Sequence, residues 1–157
     1  MTAKEINQAL FNGGEQAIRA TTYLLENGVV TASFRSVGKF MYSVNKIKSE
    51  VEVPYDAVSF IESIVLQLKA NNIRVYRLWT ESDNDVCPTR VYSCRKDILQ
   101  RRLRNYVQED QAVYMRSIGY ELDNPVKASK EEIEDFLKIG YADMFNRIKA
   151  RYRLVEA

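Results

Sequence analysis

The sequence predicts a single α+β domain over residues 1–157, mostly helical, with a small antiparallel sheet in the middle of the chain. Three observations favour this fold class. Apolar residues recur at helical spacing towards both ends of the chain. Short runs rich in β-branched and aromatic residues fall within 50–94. A chain of 157 residues, 46% of them hydrophobic, is long enough to bury one full core.

The first third of the chain, residues 1–48, is predicted to be helical. Thr2 and Glu5 have the spacing of a capping box, and the Gly13-Gly14 pair is expected to end the helix that they open. A second helix is predicted over 15–27, since Gly28 stands where helices commonly stop.

Residues 31–48 carry two competing patterns. Five apolar residues recur there at helical spacing, namely Phe34, Val37, Met41, Val44 and Ile47. The even positions of the same segment partly fit a strand. If the segment is a helix, residues 17–46 have the layout of a helix-turn-helix with Gly28 in the turn. Gly38 weakens that interpretation, because a mid-helix glycine costs about 1 kcal/mol relative to alanine.

The middle of the chain, residues 50–94, is predicted to form a strand, a helix and a hairpin. Val51 and Val53 alternate with acidic residues and indicate a short strand. The apolar face repeated over 55–71 is typical of an amphipathic helix. Two further strands, over 73–79 and 89–94, flank a polar turn cluster and are expected to pair. Helices from both ends of the chain would pack over this sheet.

The last part, residues 95–157, is again predicted to be helical. Extending the helix over 96–108 would place Asp110 within the apolar stripe, where an unpaired carboxylate is costly. A break is therefore expected near Glu109, with Asp110 capping a new helix over 111–119. A final helix is expected to open at the capping box of 129–132 and to continue through Tyr152 and Val155.

Positive charge is the main functional signal. The net charge is only +2, so binding of a polyanion depends on where the charges lie. Six cations cluster over 90–104: Arg90, Arg95, Lys96, Arg101, Arg102 and Arg104. The predicted nucleic-acid-binding residues are Arg35, Lys39, Lys46, Lys48, Arg101, Arg102 and Arg104. A second candidate surface is a sheet face on which Arg74, Arg77 and Arg90 alternate with Tyr76, Leu78 and Val91.

The chain contains no histidine, which removes the commonest metal ligand and the commonest general base. No metal, cofactor or catalytic residue is predicted. Cys87 and Cys94 are too far apart in an extended segment for a disulfide, so we expect free thiols and a reducing cytoplasm. An enzyme acting through carboxylates and a tyrosine stays open as a third alternative, with Glu50, Glu52, Glu62 and Tyr55 as its candidates.

Together these features favour a small, non-catalytic accessory or regulatory protein that binds DNA or RNA. The alternative is a protein-binding adaptor or inhibitor of the kind that mobile elements carry, in which the ten tyrosines would contact a partner protein. No apolar run is long enough for a membrane helix, so no membrane association is expected. A homo-oligomer is compatible with either function.

Overall fold

The computed structural model describes residues 1–33, 37–82, 85–117 and 150–157, with short pieces at 119, 131, 134–135, 138 and 141–143. The helices whose bounds are described are α1 (Ala3–Asn12), α2 (Gly14–Asn27), α3 (Ala57–Ala70) and α4 (Lys96–Ser117). Its strands are β1 (Gly28–Ser33), β2 (Lys39–Val44), β3 (Ile47–Glu52), β4 (Tyr76–Ser82), β5 (Asp85–Ser93), β6 (Tyr141–Asp143) and β7 (Ala150–Glu156).

The described strands form one seven-stranded antiparallel sheet in the order β3-β2-β1-β5-β4-β7-β6. Because side chains alternate along each strand, the sheet has two faces with separate cores. Helices α1, α2 and α3 pack on what we call the first face, against Val30, Phe40 and Tyr92. Helix α4 packs on the second face, where Leu99 and Leu103 meet strand residues including Val29, Leu78, Val91 and Tyr152.

The mixed α+β class is confirmed, but the prediction of a mostly helical chain with a small strand–helix–strand–strand sheet is wrong. The largest difference lies in 31–48, where the described residues form parts of β1, β2 and β3 and turns beside these strands, and none of them is helical. Burial alternates along β2, with Phe40, Tyr42 and Val44 in the core. The strand pattern of the even positions therefore prevails, and the helix-turn-helix is excluded.

The turn between β2 and β3 explains why these two strands pair so closely. Val44 lies opposite Ile47, and only Asn45 and Lys46 connect them. Both connecting residues have positive φ, 47° and 66°. This is the backbone of a type I′ hairpin, whose twist matches that of paired strands. On the first face, the Tyr42 hydroxyl donates a hydrogen bond to Asn7 Oδ1 at 2.6 Å, tying the hairpin to α1.

Helix α4 differs from its prediction because it runs unbroken from Lys96 to Ser117. Asp110 does lie towards the sheet, as the periodicity implies, but it has a partner. The Tyr152 hydroxyl donates a hydrogen bond to Asp110 Oδ2 at 2.7 Å. The predicted break assumed an unpaired buried carboxylate, and this contact removes that cost.

The continuation of the final helix through Tyr152 and Val155 is wrong, because both residues belong to β7, although the described residues upstream, 131, 134–135 and 138, are helical. Ala150, Tyr152 and Leu154 alternate into the second-face core. The capping box of 129–132 lies outside the described residues apart from residue 131. By contrast, α1, α2, α3 and the hairpin of β4 and β5 confirm the corresponding predictions to within a few residues.

Cys94 is a free thiol, as predicted, and burial together with Glu26 raises its pKa to about 11. The side chain of Cys87 lies outside the described part.

Candidate functional site

A groove of about 550 Å³ lies on the second face, between α4 and the β2–β3 hairpin. We call it the basic groove, because five of its lining side chains are cationic: Lys46, Lys48, Arg95, Arg101 and Arg102. Its other polar lining residues include Asn27, Ser43, Asn45 and Asn105. Among the described residues that line it, Glu109 is the single carboxylate. An open, polar cavity with this charge suits an extended anion.

The groove brings together two parts of the chain that are about fifty residues apart. Lys46 occupies the hairpin turn. Lys48 belongs to β3 and lies opposite Ser43 of β2. Lys48 points to the second face because Ile47 and Ser49, its neighbours along the strand, face α1 and the first-face core. The arginines stand across the groove, at the start and along one side of α4.

A buried serine fixes the beginning of α4 beside the hairpin. The Ser93 hydroxyl donates a 2.6 Å hydrogen bond to the carbonyl oxygen of Gly28 and accepts one of 2.9 Å from the backbone N–H of Arg95. Ser93 has no solvent exposure. One side chain therefore connects the end of β5, the residue preceding α4 and the start of β1, the strand that pairs with β2 of the hairpin.

The cations in the groove are only partly neutralised. Asp97 Oδ2 lies 3.1 Å from Arg95 Nη2 and 3.7 Å from Arg101 Nη2, so one carboxylate serves two guanidinium groups. Within the described part of the chain, Lys46 and Lys48 form no ion pair. Both lysines are exposed. The exposed ion pairs of Asp97 with Arg95 and Arg101 contribute little to stability, so the positive charge of the groove is available for a ligand.

Arg102 is the least exposed of the three groove arginines and lies against a tyrosine. It hydrogen-bonds the side chain of Tyr106, whose pKa is raised mainly by burial, an effect that Arg102 partly offsets. Arg102 also lines an adjoining cavity of about 280 Å³ with Met41, Lys48 and Glu50. The basic groove therefore continues along the second face of β2 and β3.

Four of the seven predicted nucleic-acid-binding residues line the basic groove: Lys46, Lys48, Arg101 and Arg102. Arg104 does not line it, although Arg104 is about 60° around α4 from Arg101 and about 200° from Arg102. Lys39 lies at the other end of the hairpin, 3.1 Å from Glu50, and this contact raises its pKa. Arg35 lies outside the described residues. Arg95 was in the predicted cluster but not among the predicted site residues.

The predicted arginine and tyrosine sheet face is divided between the two faces. Tyr76 packs towards the second face, where Lys96 lies 5.3 Å above its ring. Arg77 and Arg90 lie on the first face with Trp79 and Arg153, and these four residues line a separate cleft. The sequence prediction missed Arg153, since it placed that part of the chain in a helix.

Of the carboxylates proposed for the enzyme alternative, Glu62 lies apart from Glu50 and Glu52. Glu50 pairs with Lys39, whereas Glu62 accepts hydrogen bonds from Arg77, Arg90 and Tyr92. The Tyr55 hydroxyl donates to the carbonyl oxygen of Leu10 at 3.3 Å, and burial raises its pKa to about 12. Glu52 lies opposite Lys39 and shares that lysine with Glu50, so two of the candidate carboxylates have one partner on the second face, whereas Glu62 and Tyr55 have partners on the first face.

No family model, curated protein or solved structure matches this chain at a significant level. Within the described ranges, no helix has the length and hydropathy needed to cross a bilayer. The same residues contain no cluster of three or more acidic or cysteine side chains arranged to hold a metal ion.

Proposed function

We propose that this protein binds nucleic acid through its phosphate backbone, in the basic groove. The observation that carries the proposal is the convergence of Lys46 and Lys48 with three arginines at and before the start of α4 on one groove, although the two segments are distant in sequence. Charges that serve only solubility have no reason to meet across a concave surface. Cations that line a channel attract a polyanion and release its counterions.

The composition of the groove favours backbone contacts over base readout. Lysine ammonium groups and guanidinium forks are the usual partners of phosphate oxygens. Asparagine and serine side chains add neutral donors. Tyr106 is the aromatic residue of the described lining, and it is engaged with Arg102 and largely buried. Without a free aromatic platform, we expect binding with little sequence preference.

The proposal is tested by neutralising three exposed groove cations, in the variant Lys46→Gln, Lys48→Gln, Arg101→Gln. A matched control, Lys4→Gln, Arg19→Gln, Lys69→Gln, removes the same charge from exposed positions outside the groove. Gel-shift or anisotropy titrations with single-stranded and duplex oligonucleotides measure the affinity. The groove variant should bind about tenfold more weakly or worse, and the control should bind like the parent protein.

The salt dependence of binding gives a second, quantitative readout. For duplex DNA the slope of log K against log salt is about −0.9 per neutralised phosphate, and about −0.7 for a single strand. Five groove cations set a limit of about −4.5 for a duplex. The groove variant should lower the magnitude of this slope by up to about 2.7. Equal slopes in the groove variant, the control and the parent would refute the proposal.

A protein adaptor gives a different outcome in the same experiments. An acidic protein partner would use the same charges. In that case bulk DNA and RNA would not bind through the groove, and the groove variant would not change their binding. Loss of retention in both triple variants alike would mean that overall charge governs binding, which also contradicts a groove-specific site.

A further inference from the structure

Strand β3 (Ile47–Glu52) forms an edge of the described sheet. It pairs with β2 on one side, and within the described part of the chain nothing pairs with its other side, which we call the β3 edge. A strand in this position presents a row of backbone N–H and C=O groups with which a further strand can form hydrogen bonds. The β3 edge is therefore a candidate surface for the addition of a strand.

The hairpin turn determines which backbone groups of β3 point outward. Val44 and Ile47 flank a turn of two residues, and residues in these positions exchange backbone hydrogen bonds. Because bonded and non-bonded pairs alternate along an antiparallel ladder, the odd-numbered residues of β3 direct their backbone groups to β2. The even-numbered residues direct theirs to the β3 edge: Lys48, Glu50 and Glu52.

The same three residues carry exposed, charged side chains on the second face. Lys48 forms no ion pair with any described residue. Glu50 lies 3.1 Å from Lys39 and its side chain is still 49% exposed, and Glu52 also helps to raise the pKa of that lysine. Along the β3 edge the charge thus changes from positive at Lys48 to negative at Glu50.

A second copy of β3 fits this edge in one antiparallel register without a like-charged pair. Even-numbered residues must lie opposite even-numbered residues, since only these have outward backbone groups. When Ser49 lies on a twofold axis, Lys48 is opposite the partner's Glu50, and Glu50 is opposite the partner's Lys48. The two neighbouring registers place Lys48 opposite Lys48 or Glu50 opposite Glu50, and like charges in directly opposed positions are destabilising. Charged edges commonly prevent pairing, but this pattern is complementary to itself around Ser49.

Apolar residues meet on the first face in the same register. Ile47 lies opposite the partner's Val51, and Val51 lies opposite the partner's Ile47. Both side chains pack against the first-face core and remain partly exposed. Because apolar cross-strand pairs stabilise a sheet, one register satisfies charge on the second face and burial on the first.

Helix α1 leaves the β3 edge open. Asn7 of α1 accepts a hydrogen bond from Tyr42 of β2 and donates one of 3.2 Å to Ser49 of β3, so the helix is held by both strands. The first-face residues of β2 are at most 3% exposed, whereas those of β3 remain partly exposed: Ile47, Ser49 and Val51. Burial under the helices therefore decreases towards the edge, and α1 does not cover it.

We propose that the β3 edge is the interface of a homodimer, in which two copies of β3 pair antiparallel around a twofold axis at Ser49. The two sheets then become one, and the same patch is used on both copies. Each free edge is removed by the other. The contact is short, residues 47–51 of each copy, so we expect a dissociation constant of about 1–100 μM.

Charge reversal tests the interface and its register together. Lys48→Glu and Glu50→Lys each place like charges in opposed positions, so each variant alone should dimerise at least about tenfold more weakly than the parent. Mixed in equal amounts, the two variants should restore a dimer with one chain of each, because every pair of positions 48 and 50 then has opposite signs. Sedimentation velocity measures the association, and native mass spectrometry with one isotope-labelled variant identifies the mixed dimer.

Lys69→Glu and Glu15→Lys are the matched controls, since both residues are exposed and belong to helices, not to β3. Each control should dimerise like the parent. Ser49→Cys gives a measurement that does not depend on charge. Non-bonded pairs place their Cα atoms about 4.5 Å apart, within reach of a disulfide, so oxidised glutathione should link this variant into a covalent dimer and leave the parent unlinked.

The proposal is overturned if the parent remains monomeric at about 1 mM, or if the mixed variants associate no better than either one alone. It is overturned equally if Ser49→Cys does not give a covalent dimer. Lys48 also lines the basic groove, so all these measurements are made without nucleic acid. A monomeric parent therefore leaves the proposed function of the groove untouched.

Discussion

At the scale of single residues, Gly28 carries the closest approach of two backbones beside the basic groove. Its φ of −160° is extended and open to any residue, so conformational freedom is not the reason for a glycine here. A Cβ at this position would overlap the carbonyl oxygen of Ser43 and lie 3.0 Å from the Val44 Cα. Only a residue without a side chain allows β1 to begin where α2 ends and still pair with β2.

We therefore predict that Gly28→Ala lowers the free energy of unfolding by about 3 kcal/mol, because the paired backbones must separate. Gly38→Ala is the control, since its nearest atom, the Val53 carbonyl oxygen, is 3.6 Å from the new Cβ. Its effect should stay within about 0.5 kcal/mol. Urea unfolding followed by circular dichroism compares the two, and equal midpoints would contradict the packing argument.

At the scale of elements, the β2–β3 turn combines a conformational cost with a functional charge. Lys46 has a φ of 66°, a region that a lysine occupies at a cost of about 1 kcal/mol and a glycine occupies freely. Replacing Lys46 by glycine would turn the Asn45-Lys46 pair into Asn-Gly, the preferred type I′ sequence. The same substitution removes a cation from the basic groove.

We predict opposite effects of Lys46→Gly on stability and binding. The free energy of unfolding should rise by about 0.5–1 kcal/mol, while oligonucleotide affinity falls. Lys46→Gln is the matched variant, because it removes the charge and keeps the strained φ. Thermal unfolding and anisotropy titration measure the two quantities. If Lys46→Gly bound oligonucleotides as tightly as the parent, Lys46 would not belong to the binding surface.

The elements that the sequence predicts well are those with one unambiguous pattern. Helix α3 has a single broad apolar face, and the capping side chain of Asp56 accepts from the Ser59 N–H. Residues 31–48 satisfy two patterns that share Val44, and pairing with β1 and β3 decides between them. That pairing is not visible locally, since the turn at Asn45 lacks the glycine that usually marks a type I′ hairpin.

The C-terminal strand was missed for a related reason. Tyr152 and Val155 fit a helical stripe that begins further upstream, whereas Ala150, Tyr152 and Leu154 alternate over a shorter distance. The sequence also located four of the groove cations, but only the hairpin shows that they meet. Helical geometry separates Arg104 from Arg102 but places it within about 60° of Arg101, so the absence of Arg104 from the groove lining could not be predicted from the helix alone.

At the scale of the whole molecule, buried hydroxyl and thiol groups lie in both cores. Tyr92 belongs to the first-face core and Tyr152 to the second, and both are fully buried. Burial, then hydrogen bonds to Glu62 and Asp110 respectively, raises the pKa of each above its ordinary value of 10.0. Tyr55, with a pKa of about 12, and Cys94, with a pKa of about 11, are half-buried and add smaller effects.

These shifts predict loss of stability in alkaline solution. A raised pKa means that the folded protein keeps protons that the unfolded chain releases above about pH 9–10. The stabilising effect is complete below that range and is lost as the pH rises towards the folded pKa values. Between the pKa of the unfolded chain and that of the folded protein, each fully buried tyrosine makes the free energy of unfolding fall by up to about 1.4 kcal/mol per pH unit.

Urea unfolding midpoints between about pH 7 and pH 11 measure how steeply the stability falls with pH. Tyr152→Phe should be less stable at neutral pH by about 1–3 kcal/mol, since Asp110 loses the hydroxyl donor, and should lose stability less steeply above pH 10. Both effects come from one side chain that joins β7 to α4. A midpoint that does not change up to pH 11 would show that the tyrosines of the two cores ionise as freely in the folded protein as in the unfolded chain. The second-face core would then not exclude water at the position where α4 is anchored.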